Sequence, residues 1–263
     1  MDGVKLICLN ANNDVPLRDF EFELTPPKIS KDNPFPKIIT IPTTAGTGAE
    51  TEITAMVTYL KEGMKFCMWH PDARPVLALV DPELTLGLPP SLTAWTGVDA
   101  MVHAIEGYCV PGFNPLCDGS AIESLSLISK SLYLAVEEPK NLVARGGMHV
   151  GSYLGGVAFL KGLGLVHAIS HMVGAEFNTQ HGLTNAIILP VVLRYNLSGM
   201  DEKVKRMSEA MQFEDHSIEA FITNIEKMLD RLNIPKSLSE IGVPEDCVER
   251  IAKKAMKDQA YAT

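Results

Sequence analysis

Lys37-Ile-Ile-Thr-Ile-Pro-Thr-Thr-Ala-Gly-Thr-Gly48 decides how the front of this chain is read. The β-branched run Lys37 to Ile41 has the texture of a short buried strand, and Pro42 ends it. The turn that follows combines two glycines with three threonine hydroxyls. A strand delivering such a turn offers accessible backbone N–H groups, which suits the diphosphate and ribose of a nucleotide. The plainer alternative is a tight strand-to-loop reversal. Working outward, Ile53 to Leu60, Lys65 to Trp69 and Val76 to Val80 read as further strands, separated by Gly63 and Pro71 to Pro75. On the other side, Val4, Leu6 and Ile7 belong to a helix already in progress, ended by Asn10 to Asn13, and Pro16 to Pro36 is a polar connector. The front of the chain is therefore α/β.

After Asp81-Pro82 the texture changes to long segments rich in Ala, Leu, Met and Gly, with breaks near 111–115, 139 and 146–147. Helices are expected from Ser91, as cap, to Cys109, then over Ser120 to Val136, Val157 to His171, Leu183 to Asn196, Asp201 to Gln212, Ser217 to Leu232 and Pro244 to Asp258. The expected division is an α/β part over residues 1–85 and an all-helical part over 86–263. No internal repeat is visible.

The chain has 263 residues, 46% hydrophobic and 21% charged, enough for a sizeable core and unlike a disordered or collagen-like sequence. With 23 Lys and Arg against 32 Asp and Glu the formal charge is −9, the wrong sign for nucleic acid or anionic lipid. The five cysteines are odd in number, scattered and without a CxxC pair, which favours a reduced, cytoplasmic compartment. Neither a leader pattern nor an apolar run long enough to span a membrane stands out, so no membrane association is expected.

Four of the seven histidines fall at spacings that invite a joint reading: Asp99-Ala-Met-Val-His103, His167-Ala-Ile-Ser-His171, and His181 ten residues on. Residues four apart on a helix share a face, so Asp99 and His103 can offer a carboxylate and an imidazole to one ion, and His167 and His171 repeat the geometry. Taken singly, an Asp-x3-His pair is commonly a surface or capping pair. Two imidazoles in the apolar segment Gly162 to Ala175 are harder to dismiss, because they would otherwise be buried without partners. Three imidazoles and one carboxylate suit Fe(II) or Zn(II), with room for a substrate oxygen. His70, His149 and His216 have no such company and read as surface or satisfied core histidines. No Gly-x-Ser-x-Gly elbow, His-Glu-x-x-His helix or Walker A loop occurs.

Four ordered segments carry a family resemblance: Pro42 to Glu50, Gly97 to Tyr108, Gly162 to His171 and His181 to Pro190. The chain resembles the iron-containing (group III) alcohol dehydrogenases over nearly its whole length. The resemblance implies an incomplete Rossmann-like, dehydroquinate synthase-like α/β part joined to an all-α metal-binding domain. Metal ligands then fall on Asp99, His103, His167 and His181, and His171 lies beside the nicotinamide and the reacting carbon. Thr43, Thr44, Thr47 and Lys65 match cofactor-binding positions, and Leu84 matches the rim of the nicotinamide site. The implied cofactors are Fe(II) or Zn(II) and NAD or NADP. The implied reaction is oxidation of a small alcohol, or reduction of an aldehyde or ketone, by a homo-oligomer.

Departures from the family pattern include Ala49 and Glu52 in place of hydroxyl residues, and a carboxylate at Glu52 is expected to disfavour a bound phosphate. Asp2 and Lys5 match the end of the family's Gly-Gly-Gly-Ser-x-x-Asp-x-x-Lys stretch without its glycines, so the chain is expected to be truncated at both ends. The competing expectation is a catalytically incompetent fragment that binds metal or partner chains without binding cofactor productively. Related dehydroquinate synthase-like and glycerol dehydrogenase branches are disfavoured by the Asp-His-His-His pattern.

Overall fold

The computed structural model describes residues 1–262. Helix α1, Asp2–Asn10, opens the chain as expected. Two small sheets follow. Strand β1 (Ile39–Thr40) pairs in parallel with β4 (Leu77–Ala78), and β2 (Thr54–Tyr59) pairs antiparallel with β3 (Met64–Trp69) in the register Thr54 opposite Trp69 through Tyr59 opposite Met64. The expected strands at 37–41 and 76–80 shrink to two residues each, because β1 and β4 have one partner apiece among the described residues. Gly63 turns the β2–β3 hairpin at a φ of +58° that side chains disfavour.

The remainder is helical. Helices α2 (Pro90–Cys109), α3 (Pro115–Glu137), α4 (Leu142–Ala158), α5 (Leu165–Phe177), α6 (His181–Asn196), α7 (Asp201–Ala210), α8 (Ile218–Arg231) and α9 (Val248–Ala255) follow in order. Helix α2 is the axis of the bundle. It packs against α3, α4 and α6, and its residues from Val98 to Ile105 are all buried among side chains such as Leu125, Ile128, Leu132 and Leu189. A helix buried on every side needs no polar face, and this one holds Asp99 and His103 inside the protein.

Several expected boundaries are corrected. Ser91 does not cap α2: Pro90 takes the first helical position, where a missing N–H costs nothing. Helix α3 begins at Pro115 instead of Ser120, with the Asn114 side chain accepting from the Cys117 N–H. The single helix expected over 157–171 is the tail of α4 and the head of α5, separated at Gly162-Leu-Gly164, where Gly162 has a φ of +135°. Helix α4 runs through 146–147, expected as a break. Gly146 lies in open space, but glycines further along are contact points: a Cβ on Gly151 would lie 2.8 Å from Ile128 Cγ1, and one on Gly155 would lie 3.0 Å from the Ala100 carbonyl. The last expected helix, 244–258, is a 3-10 turn at Glu245–Cys247 followed by the shorter α9. Among the described residues, no single helix is long and apolar enough to cross a membrane.

Candidate metal centre

Asp99 and His103 lie one turn apart on α2, His167 and His171 one turn apart on α5, and His181 is the first residue of α6. The helices reach one point because α6 starts in close contact with α2. A Cβ on Gly182 would lie 2.3 Å from the Trp95 carbonyl oxygen, one turn before Asp99, so only glycine permits the approach. Nε2 of His103, His167 and His181 lie 3.8, 3.9 and 3.6 Å from Asp99 Oδ1. One donor atom from each of the four residues falls within 4.8 Å of every other.

This donor set fits a divalent transition metal. Four donors arranged tetrahedrally around an ion at about 2.1 Å stand roughly 3.4 Å apart, close to the spacing observed. Burial, with smaller contributions from neighbouring histidines and Lys65, holds His167 and His181 well below the usual imidazole range. They are therefore neutral with lone pairs available, the state a metal ligand needs.

Glu106 sets the geometry of one ligand. Its carboxylate accepts from the Gly164 N–H (3.0 Å), the Val166 N–H (2.7 Å) and Nδ1 of His167 (2.6 Å). A carboxylate accepts, and the amide nitrogen of Asn185 at 3.2 Å from Nε2 donates, so His167 carries its proton on Nδ1 and turns an unprotonated Nε2 to the cluster. Burial pushes the Glu106 carboxyl up to about 7, opposed by those donors. Asn185, one turn after His181 on α6, donates from Nδ2 to Asp99 Oδ1 at 2.7 Å. The same nitrogen lies 3.2 Å from His167 Nε2 and 3.3 Å from His181 Nε2. Ring contacts complete the packing: His103 stacks on His167 at 4.7 Å between centroids and touches Phe159, and His171 stacks on His181 at 5.5 Å.

The other expected site residues are placed differently. Thr43 and Thr47 are exposed and Thr44 half-buried in the loop after β1. That loop is wedged against the helices: a Cβ on Gly46 would lie 2.6 Å from Thr96 Cβ, and one on Gly48 would lie 2.7 Å from Gly156 Cα. Both glycines are thus required for packing. Lys65 is half-buried on β3, opposite Gly174 of α5, and burial lowers its pKa. Leu84 is exposed on the 3-10 turn Pro82–Thr85. Among the described residues, no hydrogen bond or ion pair joins Leu84 or the three threonines to the four-residue cluster.

Glu52 is turned inward. It is 6% exposed, takes the hydroxyls of Thr51 and Thr54 at 3.3 Å each, and faces the buried Lys5. A carboxylate held this way is not presented to a ligand phosphate, which corrects the sequence expectation. Lys5 donates to the carbonyls of Ala49 (2.7 Å) and Thr54 (2.9 Å). His70 and His216 are satisfied by backbone partners as expected, whereas His149 is buried with Nε2 unpartnered. Glu106 and Asn185 were missed as functional residues, although each follows a ligand at helical spacing. Asp258, which meets His171, has no sequence signal at all.

The family profile described as iron-containing alcohol dehydrogenase matches residues 1–82, and the profile described as Fe-containing alcohol dehydrogenase family, C-terminal, matches residues 93–263. The chain is 35% identical over 264 aligned residues to the NAD-dependent methanol dehydrogenase of Bacillus methanolicus, covering 98% of this chain and 68% of that protein. It is 37% identical to the 1,3-propanediol dehydrogenase of Citrobacter freundii, covering 86% of this chain and 60% of that protein. The crystal structure of a 1,3-propanediol oxidoreductase superposes with a TM-score of 0.91 at 34% identity, covering all of this chain and 69% of that one. The chain thus spans about three fifths to two thirds of the length of these relatives.

Proposed function

The chain belongs to the iron-containing alcohol dehydrogenases, and from that premise we propose that it serves metal-dependent, NAD(P)-linked oxidation of a small alcohol, or reduction of the matching aldehyde or ketone. The observation that carries this reading is the convergence of Asp99, His103, His167 and His181 in a buried cluster of one carboxylate and three imidazoles. When bound, Fe(II) or Zn(II) supplies Lewis-acid polarisation of the substrate oxygen, and the nicotinamide accepts or gives the hydride. Asp99 contributes one negative charge to the ligand set and the three imidazoles none, so a divalent charge remains partly uncompensated. Glu106 holds His167 in the ligating tautomer. His171, packed against His181 and His167, orients the nicotinamide or passes a proton to water.

In the same proposal Thr43, Thr44 and Thr47 bind the cofactor with their hydroxyls, Lys65 binds the ribose side, and Leu84 lies at the rim. Residues 1–85 form the nucleotide-binding part and 86–263 the metal-binding part. The relatives, a methanol and a 1,3-propanediol dehydrogenase, favour a short alcohol as substrate. The test is metal analysis with an alcohol-panel assay on the native chain, His103→Ala and His167→Ala, alongside NADH titration by fluorescence. Loss of metal and of alcohol oxidation in both variants is the expected result. Undiminished metal in both overturns the ligand assignment, and intact metal without cofactor binding overturns the dehydrogenase.

A further inference from the structure

His171 is held by a residue far along the chain. Its Nδ1 lies 3.0 Å from Oδ2 of Asp258, which follows α9 in the turn before the 3-10 segment Gln259–Ala262. The two side chains are 6% and 2% exposed. The other carboxylate oxygen, Oδ1, accepts the backbone N–H of Ala260 at 2.8 Å. The backbone of Asp258 is tied on both sides, its N–H to the Ala255 carbonyl and its own carbonyl to the Tyr261 N–H, each at 3.0 Å. No Lys or Arg forms an ion pair with Asp258 among the described residues. Lys65 feels the charge of Asp258 without touching it. A turn of this kind at the surface would serve to cap Ala260, whereas a buried carboxylate with no cation in contact needs a further reason.

We propose that Asp258 is a positioning residue that fixes His171 as its Nδ1–H tautomer and leaves Nε2 a bare acceptor beside the metal-ligand cluster. The hydrogen-bond inventory forces this assignment. An ionised carboxylate only accepts, so the ring nitrogen facing it must be the donor. His171 Nε2 has no protein partner among the described residues, and the ring stacks 5.5 Å from His181 and meets His167 edge-on at 5.7 Å. An acceptor is thereby kept beside the rings of His167 and His181.

Asp258→Asn tests this, because it keeps the shape and inverts the demand. The Ala260 N–H can only donate, so the new amide turns its oxygen to Ala260 and its NH2 to His171 Nδ1. The ring must then carry its proton on Nε2. In the zinc-loaded protein with 15N-labelled histidine, assigned by comparison with His171→Ala, the protonated nitrogen is expected to switch from Nδ1 to Nε2. The consequence for turnover rests on the dehydrogenase reading: kcat for alcohol oxidation falls by about 10²-fold with KM nearly unchanged and metal content intact. In an His171→Ala background the same substitution adds no further loss. An unswitched ring, or an equal loss in both backgrounds, overturns the proposal. If the native chain oxidises no alcohol, the function above fails while the ring nitrogens still decide this one.

Discussion

Replacing Glu52 with Gln should stabilise the protein above neutral pH and leave cofactor affinity alone. Burial pushes the Glu52 carboxyl up to about 7, from an ordinary value of 4.5, despite the Thr51 and Thr54 hydroxyls and the nearby Lys5. The folded protein therefore binds a proton at this site over a range in which the unfolded chain has released it. Stability is fully present below about pH 4.5 and is lost as pH rises through about 7. A difference of roughly 2.5 units corresponds to about 3 kcal/mol once both states are ionised, near pH 8. Glutamine keeps hydrogen bonds available to both threonines and has no charge to desolvate. Urea unfolding of the two proteins between about pH 5 and pH 8.5 should show a stability gap that opens towards alkaline pH. NADH affinity should stay within about 2-fold, because the carboxylate faces Thr51, Thr54 and Lys5 instead of a ligand. A gap that does not vary with pH, or a gain in NADH affinity of tenfold or more, would refute the inward placement of this side chain.

Three further outcomes follow from the metal centre. Glu106→Gln should weaken Zn(II) binding by about 10- to 100-fold, measured by competition with a chromophoric chelator, because the His167 tautomer is no longer imposed by a carboxylate. Gly182→Ala places a methyl group 2.3 Å from the Trp95 carbonyl. It should lower stability by about 1–3 kcal/mol in urea unfolding and weaken metal binding as well, since α6 must draw back from α2. Zn(II) at about 100 times its Kd should stabilise the native chain by about 2.7 kcal/mol, a gain abolished by chelator and absent in His103→Ala.

The division between an α/β front and a helical remainder was legible because it rests on local texture: β-branched clusters stop after Val80 and Ala-, Leu- and Met-rich segments begin. The gathering of histidines around Asp99 was legible because Asp99 and His103, and His167 and His171, repeat the one-turn spacing of a helix, whereas the choice of His181 over His171 as the fourth member came from the family resemblance alone. Helix α4 was not legible, since Gly146 and Gly147 read as a break when their neighbours are unknown. At Gly147, Gly151 and Gly155 the value of a glycine lies in what a Cβ would strike, which is information about another helix. The reversed orientation of Glu52 was hidden for the same reason: its partner Lys5 lies 47 positions earlier and declares itself only once α1 packs on β2.

The same close approaches explain why the site has two carboxylates outside the ligand set. Helix α2 can be buried on all sides only if α4 and α6 come near enough to cover its backbone, and Gly155 and Gly182 permit that. The approach strips water from His103, His167 and His171 together. Imidazoles so enclosed have no solvent to fix which nitrogen holds the proton, so that choice falls to whatever acceptor the fold supplies. Glu106 supplies it for His167 and Asp258 for His171. His103 and His181, whose Nδ1 atoms are buried without partners, have no such acceptor, and for them the metal itself would have to select the ligating nitrogen. Toward a metal, the three histidines of the cluster would thus divide into one oriented in advance and two that metal binding must order. On this division, Glu106→Gln should shift Zn(II) affinity further than any substitution that merely repacks the ring of His103, such as Phe159→Leu. Equal shifts from the two variants would show instead that the ligands are held by packing alone.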